Sequence, residues 1–393
     1  MRICMLAYTF YNSDSRVRRY AESLAQRGDS VEAITLARDQ EQSVDYLRGV
    51  RVRRIQKRVI DETGPISYFV KLMRFFIKSA WTVTLGHLKD PYDVIHVHSV
   101  PDFEVFATLV PRLLGAKIIL DIHDLVPEFY ASKFGVNRHS LVFRALHLME
   151  RLSIAYSNHV IISNDLWREK LIERSTRKEK CTALINFPDL SIFHRKKQWA
   201  QSKTEFLVGY PGTLNWHQGL DLAVNAVALL LDEKPALRLL IVGDGPELPK
   251  LRMLVSKLGI DDRVEFRGFM AAEEVAQTIA ACNLGVVPKR NNGFGDEAFS
   301  TKILEFMAMA VPVVVARTRI DQFYFNEDLV EFFEPGDSID MAAKILRLMK
   351  DPQRRASLAA AGEKYVKDNN WNVKKSIYLE LVDQLVEKNL SSN

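Results

Sequence analysis

The sequence predicts an α/β protein made of two doubly wound domains, each a parallel sheet with helices on both faces. Three observations carry this expectation. The chain has 393 residues, well past the ~250–300 residues at which one hydrophobic core stops growing. Short apolar runs alternate with helical stretches, the rhythm of parallel strands joined by crossover helices. Midway along the chain that rhythm starts again.

In the first half, Arg2–Tyr8 is an apolar run, followed by a helical stretch over Arg16–Gln26 that stops at Gly28. Val31–Leu36 and Val94–His98 read as strands, and Val105–Leu114 as a helix closed by Gly115. Lys117–Asp121 is a strand, Leu141–Ala155 a helix, Val160–Ser163 a strand and Asp165–Arg174 a helix. The second half repeats the pattern: strands over Glu205–Tyr210, Arg238–Val242, Val264–Phe266, Leu284–Pro288 and Val311–Ala316, with helices over Leu220–Leu231, Glu247–Leu258, Ala272–Ala281 and Lys302–Ala310. A last helix covers Val373–Lys388. The expected division is residues 1–198, residues 199–370, and a segment 371–393 packing back toward the first domain, with the polar stretch Lys196–Thr204 as the hinge. In doubly wound sheets ligands bind beyond the C-terminal strand ends, so the chemistry is expected where two such ends face one another.

Composition narrows the function. Apolar residues make up 47% and charged residues 26%, the balance of a soluble globular protein. No apolar run reaches the ~18 residues of a membrane-spanning helix, and Ile3–Phe10 reads as a first strand rather than a signal peptide. Cys4, Cys181 and Cys282 lie far apart, suggesting neither a disulfide framework nor a zinc cluster, so a cytoplasmic, reducing setting is expected. Net charge is +9 over residues 1–199 and −4 over residues 200–393, which directs an anionic partner to the first half.

The most informative stretch is Gly293–Ala316, GFGDEAFSTKILEFMAMAVPVVVA. Ser300 and Thr301 are good caps for a helix starting at Lys302, and the free amides of that helix end suit a phosphate. Glu305 sits one turn in, and Glu297 precedes the helix in a Gly-rich loop. From spacing alone, Glu305 suits a mere partner of the helix dipole as well as a carboxylate that accepts two hydroxyl hydrogen bonds, and Glu297 suits a solvated loop acid.

Glu297 and Glu305, separated by seven residues and followed by Phe306-Met307-Ala308-Met309 and Val311-Pro312-Val313-Val314, resemble the double-glutamate signature of the retaining, family-four glycosyltransferases of GT-B architecture. Gly209–Leu222 (GYPGTLNWHQGLDL), Leu240–Leu251 (LIVGDGPELPKL), Val264–Phe269 (VEFRGF), Asp93–His98 (DVIHVH), Asp121–Glu128 (DIHDLVPE) and Ile185–Phe193 (INFPDLSIF) are similar to that family's other loops, in its order. The resemblance implies two Rossmann-like domains and transfer of a sugar from a nucleoside diphosphate sugar, a UDP-sugar ahead of a GDP-sugar, without a further cofactor. It implies a hexosyl- or N-acetylhexosaminyl-transferase working in surface polysaccharide or glycan assembly. Glu305 would bind the ribose, Ser300 and Thr301 the diphosphate, Glu297 the donor sugar, and the backbone of Gly268, Phe269 and Met270 the base. Gly212 would admit the diphosphate closely, and His123 would hydrogen-bond the donor sugar near its anomeric end. Asp244, between two glycines, suits a turn as well as a ligand. The family needs no divalent metal, and the chain has no Asp-x-Asp sequence. His96 and His98 alternate on a strand and invite a metal reading, but no third ligand has suitable spacing.

Three departures stand out. Thr213 and Gln218 occupy positions where many family members carry Arg and Lys for the diphosphate, which leaves Lys302, Lys289 and Arg290 as replacements. The loop Tyr11–Arg16 lacks the usual glycines and offers Asp14 and Arg16 as acceptor or phosphate ligands, with His98 also on the acceptor side. Ala310 stands where a helix-ending glycine is common, so a differently shaped helix end is expected.

Segment 51–89 carries nine Lys/Arg against Asp61 and Glu62. Within it Phe69, Leu72, Met73, Phe76, Ala80 and Val83 recur at helical spacing, with Lys71, Arg74 and Lys78 on another face. This suits a basic amphipathic helix on an anionic membrane, serving a glycan or polyprenyl-linked acceptor at the inner face of the plasma membrane, and equally a helix buried on the first sheet. No nucleic-acid module appears. Other readings remain: a catalytically degenerate partner subunit that binds nucleotide sugars, a nucleotide-sugar epimerase on the same fold, and a dinucleotide-dependent oxidoreductase, the last disfavoured because no glycine fingerprint follows the first strand.

Overall fold

The computed structural model describes residues 1–58, 65–134, 137, 140–196, 205–231, 233 and 236–390. It forms two compact units, Met1–Asn186 with Lys374–Asn393, and Phe187–Val373. The first boundary therefore falls ahead of the expected 198/199. Phe187 and Phe193 are buried, and the Trp371 N–H donates to the Pro188 carbonyl at 3.1 Å, so this stretch belongs with the second unit. Beyond Lys196, the expected hinge lies outside the described residues.

The first unit is an eight-stranded sheet: β1 (Arg2–Phe10), β2 (Ser30–Ala37), β3 (Val44–Leu47), β4 (Val50–Lys57), β5 (Val94–His98), β6 (Lys117–Ile122), β7 (His159–Ile162) and β8 (Cys181–Ala183), in the order β3-β4-β2-β1-β5-β6-β7-β8. All neighbours are parallel except the β3–β4 hairpin. Its helices are α1 (Ser15–Arg27), α2 (Pro65–Lys89), α3 (Leu109–Leu113), α4 (Val126–Phe134), α5 (Leu141–Tyr156) and α6 (Asp165–Arg174). The central strands are buried along all or most of their length, as a sheet covered on both faces requires. Asp14 caps α1 by accepting from the Arg16 and Val17 amides, and Gly28 closes it with φ 100°. The helix expected over Val105–Leu114 is a 3-10 turn (Asp102–Thr108) followed by the five residues of α3, where Pro111 supplies no N–H to a longer helix.

The second unit is a six-stranded, all-parallel sheet: β9 (Phe206–Pro211), β10 (Leu237–Val242), β11 (Val264–Phe266), β12 (Leu284–Val287), β13 (Val313–Ala316) and β14 (Glu331–Phe333), ordered β11-β10-β9-β12-β13-β14. Its helices are α7 (Leu220–Ala228), α8 (Leu248–Leu258), α9 (Ala272–Ala281), α10 (Phe294–Glu297), α11 (Thr301–Ala308), α12 (Arg319–Tyr324), α13 (Ser338–Lys350) and α14 (Pro352–Asp368). The strand order reverses between β9 and β12. The last helix, α15 (Trp371–Leu390), spans the second boundary. From Lys374 onward it packs in the first unit, with Tyr378 fully buried and Asp383 paired to Arg27 at 2.8 Å.

Two expectations change. Segment 51–89 is not one basic helix. Its first part is β4, where Arg54 is buried and paired with Glu41 at 3.3 Å. Of the expected apolar stripe of α2, Leu72 and Val83 are buried, Met73, Phe76 and Ala80 are half-buried, and Phe69 is exposed. Ala310 also corrects the reading of the α11 end: it adopts the left-handed conformation, with φ 52°. The Val311 amide donates to the Phe306 carbonyl and the Ala310 amide to Met307, which is a Schellman closure made without glycine. Ala310→Gly should therefore stabilise the second unit by about 1 kcal/mol, the strain of a side chain in that region less the entropy glycine adds to the unfolded chain. A lower urea midpoint in that variant would refute it.

Candidate active site

The reversal of strand order in the second unit puts the C-terminal ends of β9 and β12 side by side, the position where such sheets bind ligands. Two glycines let the loops there pack closely. A Cβ on Gly243 would lie 1.9 Å from the Gly212 carbonyl oxygen, and one on Gly212 would lie 2.8 Å from Lys302 Cε. Both have φ in the region that favours glycine, 134° and 145°. The Gly243 amide donates to the Gly268 carbonyl at 2.7 Å, which ties the loop of Gly268, Phe269 and Met270 to this floor. The Phe269 ring stands in solvent, and Met270 is half-buried. Asp244 serves the turn: its carboxylate accepts from the Gly245 amide and its carbonyl from Leu214.

Above Gly212 lies Lys302, the second residue of α11. Its Nζ donates to Gln218 Oε1 at 2.8 Å and sits 5.0 Å from the Tyr210 ring centroid. The Tyr210 hydroxyl in turn donates to the Thr213 carbonyl at 3.0 Å. Burial, with Lys289 adding like-charge repulsion, pushes Lys302 down to about 8. A lysine at position 218 would place another cation against this one. Glutamine instead accepts its hydrogen bond, which gives the departure at Gln218 a physical sense.

The other two candidate cations are engaged inside the unit. Lys289 is buried, pairs with Asp321 at 2.8 Å and donates to the Ala298 carbonyl at 2.8 Å, so it anchors the loop between α10 and α11. Arg290 grips both oxygens of Asp221 at 2.7 and 2.6 Å and stacks over Trp216, which fixes the Asn215–Gly219 turn. Both shape the loops through these partners. Glu297 is buried within the short α10, with Arg319 Nη1 3.4 Å away. Ser300 takes the N-cap position of α11, one residue earlier than expected, but its buried Oγ makes no capping bond and no other hydrogen bond in the protein. Thr301 and Glu305 are half-buried and, four residues apart, share one face of α11. His217 escaped the sequence reading. Burial and then the Lys302 and Lys289 charges push it down to about 4, so it stays neutral beside the lysines.

In the first unit the strand ends of β1, β5 and β6 hold a buried network centred on Asp121. Arg16 clamps both carboxylate oxygens at 2.8 and 2.7 Å and reaches the Leu184 carbonyl at 2.8 Å. His98 Nδ1 and His123 Nε2 each lie 3.1 Å from Asp121 Oδ2. His96 stacks on His98 and meets the Tyr378 hydroxyl at 2.9 Å. The acceptor-side expectations for this cluster are corrected: Arg16 and His98 are buried beneath the strand ends, and Asp14 is spent on capping α1. His96, His98 and Asp121 bring three ligand atoms within 4.8 Å, but the Arg16 guanidinium already holds the carboxylate and its charge opposes a cation there. His123 alone of this group keeps a solvent-facing edge, its side chain 23% exposed. Burial acts to lower it, but the Asp121 charge and hydrogen bond outweigh that and raise it. His98 and His96 are both lowered, by burial first.

Comparison with known proteins agrees with this fold. A family model described as Glycosyl transferase 4-like domain matches residues 13–186, and one described as Glycosyl transferases group 1 matches residues 192–365. N-acetyl-alpha-D-glucosaminyl L-malate synthase of Bacillus anthracis is 24% identical over 67% of this chain and 67% of its own length. D-inositol 3-phosphate glycosyltransferase of Thermomonospora curvata is 23% identical over 93% of this chain and 87% of its own. Among solved structures, sucrose-phosphate synthase from Thermosynechococcus elongatus superposes over all of both chains with TM-score 0.80 at 21% identity. Anabaena HepE in complex with UDP-glucose does so over all of both chains with TM-score 0.71 at 18% identity. With a 4-like domain followed by a group 1 domain, each a Rossmann-like sheet of the expected topology, the chain belongs to the family-four type glycosyltransferases of GT-B fold.

Proposed function

We propose that this glycosyltransferase moves a hexosyl or N-acetylhexosaminyl group, with retention, from a nucleoside diphosphate sugar to a glycan or polyprenyl-linked acceptor in surface polysaccharide or glycan assembly. The observation that carries the donor half is the cradle at the β9–β12 reversal: the amide end of α11, the unpartnered Ser300 hydroxyl and the Lys302 ammonium, all beside Gly212, which has no side chain to exclude a diphosphate. In this reading Ser300, Thr301 and Lys302 hold the diphosphate, Glu305 the ribose and Glu297 the sugar, while the Gly268–Met270 backbone meets the base. Lys302 and the α11 amides stabilise the charge that develops on the leaving diphosphate, in place of a divalent cation. His123 is the first-unit residue assigned to the reaction. The solved complexes of Anabaena HepE with UDP and with UDP-glucose support a UDP-sugar as donor.

A thermal-shift panel of nucleoside diphosphates tests the reading. At a hundredfold excess over Kd, UDP should stabilise by about 2.7 kcal/mol and raise Tm by roughly 5–10 °C, with GDP doing less. UDP bound anywhere other than beside Gly212 and α11 in a crystal would end the proposal. Turnover should survive EDTA unchanged. Among the described residues no helix is long and apolar enough to cross a membrane. In this reading a lipid-linked acceptor is met peripherally, at the inner face of the plasma membrane.

A further inference from the structure

The crossovers β4 to β5, β5 to β6 and β6 to β7 all step the same way across the first unit's sheet. Right-handed connections therefore put α2, α3 and α5 on one face of it. The outward side of that layer is apolar. On α2, Val70, Ile77, Trp81, Leu85 and Leu88 form a single exposed stripe at helical spacing, with Ile77 64% and Trp81 69% exposed. On α5 the exposed residues include Leu141 at 81%, Val142, Leu148 and Leu152, and α3 between them exposes Leu109 and Leu113. The inward face of α2 is apolar too, through Leu72, Phe75 and Val83. A helix apolar on both sides needs a cover on both, and contiguous exposed patches of this kind mark interaction surfaces.

Charge decides what the cover is. The three helices carry Lys71, Arg74, Lys78, Lys89, Arg112, Arg144 and Arg151. Their one acid, Glu150, is buried and paired with Arg174. A second copy packed face to face would set the exposed Arg74, Lys89, Arg144 and Arg151 against the same four, with no exposed carboxylate on these helices to relieve the repulsion. A neutral apolar protein groove would offer no counter-charge to the exposed Arg74, Lys89, Arg144 and Arg151. An anionic bilayer satisfies both features, since the acyl boundary takes the apolar side chains and the headgroups take the cations. A surface cavity of about 490 Å³ lined by Phe69, Val70, Met73, Arg74, Ile77 and Lys78 combines apolar walls with two cations at one end of the stripe.

We infer that the outer face of α2, α3 and α5 is a docking surface for an anionic lipid bilayer. This deepens the lipid-linked acceptor reading, and rests on it for the purpose the docking serves. It also differs from what the sequence suggested, because only Phe69 of the stripe expected to meet lipid is exposed, and the stripe through Val70, Ile77, Trp81, Leu85 and Leu88 takes its place.

Co-sedimentation of the full chain with vesicles tests it. The chain should pellet with vesicles of equal parts phosphatidylcholine and phosphatidylglycerol. Binding should drop roughly tenfold or more with phosphatidylcholine alone, or at ~1 M salt, where screening is nearly complete. Trp81→Ser with Leu148→Ser should lower partitioning by about tenfold or more, and Arg74→Glu with Arg144→Glu should abolish the preference for anionic lipid. All four positions are exposed, so both variants should keep the parent melting temperature and UDP-induced shift. Failure of the parent chain to pellet, or parent-like pelleting of the Trp81/Leu148 variant, overturns the inference. So does a dimer in light scattering that these substitutions dissociate, which would assign the face to a second copy. A retained UDP shift alongside any of these results would leave the donor reading standing, so the two failures are separable.

Discussion

Lys302→Ala is expected to lower turnover by about ten- to a thousandfold, the range for removing one preorganised electrostatic group from a reacting site. The expectation follows from where the other cations go. Lys289 is spent on Asp321 and the Ala298 carbonyl, and Arg290 on Asp221. Thr213 and Gln218 bring no charge. Among the described residues, Lys302, which donates to Gln218 and sits over Tyr210, is the cation beside Gly212 that a diphosphate can recruit. The variant should fold normally, because a half-buried ammonium whose charge is disfavoured by its surroundings adds little to stability. Unchanged turnover in Lys302→Ala would remove it from the mechanism.

The same residue gives a pH signature with a definite sign. In the free protein Lys302 titrates near 8, below the ordinary lysine value of 10.5. A diphosphate needs the charged form, so donor affinity should be full below about pH 8 and fall above it, by up to tenfold per pH unit until the donor-bound pKa is reached. Stability of the free protein moves the other way. The unfolded chain holds the proton more tightly than the folded one, so the penalty on the charged form is fully present below pH 8 and is relieved as pH rises from 8 toward 10.5. Lys302→Ala should lose both trends. A UDP affinity that is flat from pH 7 to 10 in the parent chain would show that this ammonium does not meet the donor.

The parallel sheets were legible in the sequence because their central strands are buried on both faces and so are written as short apolar runs; Val94–His98 and Val264–Phe266 match their expected bounds. The β3–β4 hairpin was not legible. Val50 and Val52 alternate as a strand should, but Arg54 and Gln56 then fill buried positions, and nothing local announces that Glu41 and the Lys71 carbonyl await them. The same limit governs the sites. Glycines and a helix start are local signals, so the α11 cradle could be placed from Gly212, Ser300 and Lys302. The partners of Lys289, Arg290 and Arg16 are 32, 69 and 105 residues away in the chain, and only the fold shows that these charges are already paired. Trp81 illustrates the reverse case. It lies in a segment whose apolar residues recur at helical spacing, yet it stands outside the core.

Asp121→Ala should destabilise the first unit by about 3–5 kcal/mol, the cost of stranding a buried partner charge. Asp121 is fully buried and Arg16 is 7% exposed, so removing the carboxylate leaves the guanidinium with the Leu184 carbonyl alone and takes the shared acceptor from His98 and His123. Against a total domain stability of about 5–15 kcal/mol this is a large share, readable as a lower urea midpoint for the first unit's transition. Replacing the pair together, Arg16→Met with Asp121→Leu, should recover much of the loss, because the desolvation of both charges disappears with them. A loss that persists in the double variant would instead assign the cost to the histidines. The pH dependence follows from the direction of the shift. Burial works to raise Asp121, but Arg16 and then His123 outweigh it and hold the carboxyl well below its ordinary range. The contribution of a carboxylate shifted this way is present above its unfolded pKa near 3.9 and is lost as pH falls toward the folded value, so the difference between the parent chain and Asp121→Ala should narrow only below about pH 4. His123 should respond as well. Without the neighbouring carboxylate its pKa drops, and the limb of the activity profile that its titration sets moves to lower pH, a change that simple loss of stability would not produce.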